Sequence, residues 1–93
     1  MKKMQIIPTI PDENWVDIIA DYPEAFQYAF IEWAEMRRCN GWPELDSIKV
    51  KKRLDEINRL TSYLGDDEER LKAQIDIMNL ATDNNFKWFD PLF

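Results

Sequence analysis

The chain has no histidine and one cysteine, Cys39. Those two shortages exclude a Ser-His-Asp or Cys-His nucleophile, every histidine-ligated or multi-cysteine metal site, and any internal disulfide. A thiol without a partner fits a reducing compartment, so a cytoplasmic location is expected. Long apolar runs are missing too. Nothing approaches the roughly 20 apolar residues of a membrane span. The start Met1-Lys2-Lys3-Met4 has the charge of a secretory leader, but Gln5, Pro8 and Pro11 break the apolar stretch behind it, so no leader is expected. Positive charge is the minority sign: 12 Lys and Arg against 18 Asp and Glu leave a formal charge of −6. That balance repels phosphate backbones and anionic membranes, and neither direct nucleic-acid binding nor membrane association is expected.

At 93 residues the chain has room for one core, hence a single domain spanning 1–93. Its 45% apolar content is that of a folded chain rather than a disordered one. The only glycines, Gly41 and Gly65, each follow a stretch with helical character and read as C-terminal stops in the left-handed conformation. Starts are marked by Asp21-x-x-Glu24 with Pro23 between them, by Asp66-x-x-Glu69, and by Asp46 flanked by Leu45 and Val50 at hydrophobic-staple spacing. These signals predict four helices, near 12–20, 23–39, 47–64 and 67–84.

Helical periodicity supports the spans. In the third, Val50, Leu54, Ile57, Leu60, Thr61 and Leu64 share one arc, opposite Lys51, Lys52, Asp55, Asn58, Arg59 and Ser62. The fourth carries two stripes, Leu71/Ile75/Met78 and Ala73/Ile77/Leu80, enough apolar surface to touch two neighbours. In the second, Ala25, Phe26, Ala29, Phe30, Trp33 and Met36 form the core stripe. The expected fold is all-α: a bundle over 12–85 of three to four helices with a C-terminal antiparallel αα-hairpin joined at Gly65. It is flanked by an extended arm, 1–11, carrying Ile6, Ile7 and Ile10 among prolines, and an aromatic tail, 86–93.

Catalytic chemistry must come from carboxylates. Glu32 and Glu35 form an E-x-x-E pair of the kind that all-helical, Mg²⁺-dependent nucleotide hydrolases use; the partner motif fails because Glu56-x-x-Arg59 places a cation where a ligand should stand. The acids read better as a solvated face, Asp66 to Glu69 as a cap and first turn, and Cys39 as a small buried or half-buried residue. No cofactor, metal ligand or catalytic residue is assigned, and the protein is read as a non-enzyme.

Charge segregation is the sharper signal. From Asp12 to Glu35 there are seven acids and no base; from Lys49 to Arg59 there are five bases and two acids. The two regions face each other within the fold or across a homodimer, or else the carboxylates imitate nucleic-acid phosphates. On the polar arc of the second helix, Tyr28 and Ile31 lie three apart, framed by Glu24 and Glu35, the composition of a binding hot spot. Trp88, Phe89, Leu92 and Phe93 in the tail are the second candidate surface, to be folded back or docked on a partner. The last five residues, Phe89-Asp90-Pro91-Leu92-Phe93, resemble peptides that dock on bacterial sliding clamps and also end in Leu-Phe, departing from them where Phe89 replaces the leading glutamine. By elimination the expected function is binding another protein, as a small acidic inhibitor or accessory protein, by analogy with those that phages and mobile elements use against host nucleic-acid enzymes. A structural homodimer and a Mg²⁺-dependent hydrolase using Glu32 and Glu35 are the alternatives.

Overall fold

The computed structural model describes residues 13–90, which form four helices: α1 (Glu13–Ile19), α2 (Glu24–Cys39), α3 (Ser47–Leu60) and α4 (Asp67–Asp83). Among these residues there is no strand, and no helix is long and apolar enough to cross a membrane. The isoleucine arm, Leu92 and Phe93 lie outside the described residues.

Two of the predicted caps close as expected. The Asp46 carboxylate accepts from the Lys49 N–H at 2.8 Å, and Asp66 accepts from the Glu69 N–H at 3.0 Å, each satisfying an orphan donor of a first turn. Replacing either aspartate by alanine is expected to cost about 1 kcal/mol, read as a lower midpoint in urea unfolding. The third cap is different. Pro23, with φ −57° and ψ 150°, is itself the N-cap of α2, and Asp21 makes no cap. The proline ring steers Tyr22 away from helical geometry, so the helix cannot begin before Pro23. Gln27 reaches back instead, donating through Nε2 to the carbonyls of Tyr22 at 2.7 Å and Ala20 at 3.3 Å.

Helix α2 stops as its glycine predicts. Gly41 has φ +72°, its N–H bonds to the Arg38 carbonyl, and the Trp42 N–H bonds to the Arg37 carbonyl, a Schellman closure. Gly65 plays no such part, for α3 ends at Leu60 rather than 64. Side-chain hydroxyls take over the last carbonyls: Thr61 Oγ1 donates to Ile57 and Ser62 Oγ to Arg59. The second left-handed residue is Asn85, φ 58°, which closes α4 in the same way, with Phe86 N–H on the Ala81 carbonyl at 2.8 Å.

Helix α4 packs most extensively on α2, α1 packs on α3, and α3 touches α4 more lightly. The core gathers Trp15 and Ile19 of α1, Phe26, Phe30 and Trp33 of α2, Val50, Leu54 and Ile57 of α3, and Ile77 and Met78 of α4. Aromatic rings make its centre: Phe30 meets Trp15 and Trp33 with centroids 5.6 Å apart in each case. Two polar residues, Thr61 and Gln74, are buried among the described residues and bond to each other. Gln74 Nε2 donates to Thr61 Oγ1 and Asn58 Oδ1, both at 3.1 Å, linking α4 to the end of α3. Three expectations about burial are corrected. Ala25 faces solvent, Leu80 is 39% exposed while the neighbouring Ala81 is buried, and Cys39 is exposed because it lies three turns beyond Tyr28 on the outer side of α2.

Candidate functional site

The core arc of α2 leaves its outer side to solvent, and Glu24, Tyr28, Glu32 and Glu35, spaced three and four apart, follow one another along it. Tyr28 is 64% exposed, with a carboxylate one turn before it and another one turn after. Glu24 and Glu32 form no ion pair among the described residues; Glu35 has Arg38 at 3.4 Å. The expected frame of Tyr28 is therefore present and is one acid longer, since Glu32 belongs to it. Ile31 is a correction. It is partly buried and packs against the core cluster, so the exposed feature is a single aromatic ring in an acidic stripe rather than an aromatic and aliphatic pair.

The tail divides. Phe89 is 3% exposed, its ring 4.6 Å from that of Trp33 and 6.4 Å from that of Phe30. Its N–H donates to Glu56 Oε1 at 3.1 Å, while Trp33 Nε1 donates to the Phe86 carbonyl at 3.0 Å. Phe89 is thus a core residue and does not serve as partner surface: folding back buries a large ring and satisfies two polar groups at once. The same burial removes the leading residue of the clamp-like peptide. Trp88 stays 50% exposed. The tail meets the core face of α2, whereas Tyr28 stands on its outer side, so the two candidate surfaces are separate.

Glu32 and Glu35 acquire no third ligand. Among the described residues no group of three or more Asp, Glu or Cys is gathered as a metal site. Glu56, the acid of the following helix, is engaged with Arg53 at 3.2 Å and with the Phe89 N–H.

The sequence did not reveal a basic cavity of about 290 Å³ where the end of α2, the start of α3 and the tail converge. Trp33 and Leu45 provide its apolar wall, and five cations, Arg37, Lys49, Lys52, Arg53 and Lys87, line the rest. Arg53 has a carboxylate partner, Glu56, whereas Arg37, Lys49, Lys52 and Lys87 form no ion pair among the described residues. Arg37 lies over the Trp33 ring at 5.3 Å and the Trp42 ring at 5.8 Å, and donates through Nη2 to the Pro43 carbonyl; Lys87 lies over the Trp42 ring at 5.0 Å. Arg37 Nε is buried with no hydrogen-bond partner. Burial, then the nearby Arg53, lowers the guanidinium pKa from its ordinary value, while Glu44 opposes them. A second cavity, between Pro23, Asn58, Arg70 and Gln74, is lined by polar groups that already hold one another: Arg70 with Asp67 and the Leu64 carbonyl, Gln74 with Asn58.

Compared with protein-family models, curated proteins and solved structures, the chain matches none of them.

Proposed function

We propose that the protein is a non-enzymatic binding module that uses the outer stripe of α2 to hold another protein, acting as a small inhibitor or accessory protein. The observation that carries this reading is Tyr28, a large ring left 64% exposed between Glu24 and Glu32, neither of which forms an ion pair among the described residues. A tyrosine in that setting offers apolar area with a polar tip at low entropic cost, and the surrounding carboxylates steer and select a basic partner. The complementary surface is an apolar slot rimmed by Lys and Arg, the kind of groove that nucleic-acid enzymes present to phosphate backbones. No catalytic role is assigned to the acids, which stand on an open helix face without a converging third group.

Capture from a cell lysate tests the proposal, comparing wild type with Tyr28→Lys after circular dichroism has shown both to be equally folded. A partner held by wild type should be retained about tenfold less by the variant, since a central tyrosine commonly contributes 1.4 kcal/mol or more. Equal capture by both proteins removes α2 from the interface. Exposed Lys51, Lys52 and Arg59 on α3 support a second reading, in which the acidic stripe meets the basic helix of another copy. Light scattering distinguishes it by a molar mass that falls as salt rises.

A further inference from the structure

Taken together, Arg37, Lys49, Lys52, Arg53 and Lys87 bring positive charge from two helices and the tail to one cavity, in a chain whose formal charge is −6. Such a cluster is not required by the fold. Like charges at this density repel one another, and four of the five form no ion pair among the described residues. Arg37 adds a second observation, because its guanidinium is fixed at the cavity wall by the Trp33 and Trp42 rings and the Pro43 carbonyl rather than by a carboxylate, leaving its charge uncompensated by an ion pair.

We propose that this cavity binds a small ligand through adjacent phosphoryl groups, their oxygens accepting from the Arg37 guanidinium and from the Lys49, Lys52 and Lys87 ammonium groups. The fork of an arginine gives directed donors and each lysine a mobile point charge, the usual pairing around phosphate oxygens. Size restricts the class. About 290 Å³ lies at the small end of ligand cavities, enough for the phosphoryl groups of a di- or triphosphate but not for a bulky attached group, which would extend out of the cavity into solvent. A bound anion relieves the mutual repulsion of Arg37 and Arg53 and raises the lowered guanidinium pKa. The acidic stripe on the outer side of α2 is not involved, so this inference stands apart from the proposed function.

The probe is inorganic pyrophosphate, titrated into the full chain at constant ionic strength while tryptophan emission is followed, since Trp33 lines the cavity and Trp42 lies beneath Arg37 and Lys87. A saturable change below about 10 mM is expected, weakened about tenfold by either Lys49→Glu or Lys52→Glu, with Lys51→Glu leaving it unchanged. All three lysines are exposed on α3, so the variants keep the core, and Lys51 does not line the cavity. An organic di- or triphosphate that binds more tightly than pyrophosphate identifies an ester as the source, and equal affinity identifies the free anion. The proposal is overturned if no saturable response occurs, if Lys51→Glu weakens binding as much as Lys52→Glu, or if polyglutamate binds and pyrophosphate does not.

Discussion

Trp33→Ala is expected to lower stability by about 4 kcal/mol and leave a chain that is largely unfolded at 37 °C. The indole is fully buried and meets Phe30, Phe89 and Arg37, and its N–H supplies the hydrogen bond that holds the Phe86 carbonyl. Removing it opens a cavity where α2 and the tail join and strands a carbonyl beside it. Small domains have total stabilities of about 5–15 kcal/mol, so the melting temperature should fall by about 15–30 °C. Trp33→Phe separates the two contributions: it keeps most of the apolar area but loses the donor, for a cost of about 1–2 kcal/mol. Thermal melts of the pair check both values. A Trp33→Ala variant that melts like wild type would contradict the core described here.

Phe89→Ala should cost about 3 kcal/mol, whereas Trp88→Ala, one residue earlier, should cost less than about 0.5 kcal/mol. The contrast follows from burial, since Phe89 is 3% exposed and Trp88 50%. Loss of the Phe89 ring also admits water to Trp33, so its emission should shift to the red while the helical circular dichroism is retained. Equal effects of the two substitutions in denaturant unfolding would show that the tail is not docked as described.

The helices were legible because their ends carry chemistry that acts locally. Asp46 and Asp66 cap through their own first turns, and Gly41 takes a conformation that side chains resist. Where ends depended on competition between neighbours, the sequence misled. Asp21 had the right spacing for a capping box, but Pro23 governs the geometry of Tyr22; α3 could have continued to Leu64, but the hydroxyls of Thr61 and Ser62 take up its last carbonyls. Asn85 closes α4 in the conformation expected of Gly65, and asparagine is the residue other than glycine that best tolerates it.

The candidate surfaces were legible only in part, for a related reason. The Tyr28 stripe lies within one helix, so its spacing alone arranges it. Whether Ile31 shares that exposure depends on what packs beside α2, which spacing cannot report. For Phe89 the sequence left folding back and docking on a partner both open, because nothing local shows that Trp33 and Phe30 receive it. The basic cavity draws on Arg37, Lys49, Lys52, Arg53 and Lys87 from three segments, and only folding brings them together. In sequence, the five bases between Lys49 and Arg59 were visible, yet they divide in the structure: Lys49, Lys52 and Arg53 line the cavity, while Lys51 and Arg59 face solvent.

The central claim, that the outer stripe of α2 is the partner-binding face, is tested most directly by site-specific photo-crosslinking. A photoreactive phenylalanine derivative is placed at Tyr28 in one protein and at Ile48 in another, the latter being 70% exposed at the start of the basic helix α3. Adducts to one protein with a basic surface are expected from position 28, weakened by salt and absent from position 48. The same adducts from position 48, or none from position 28, would contradict the claim.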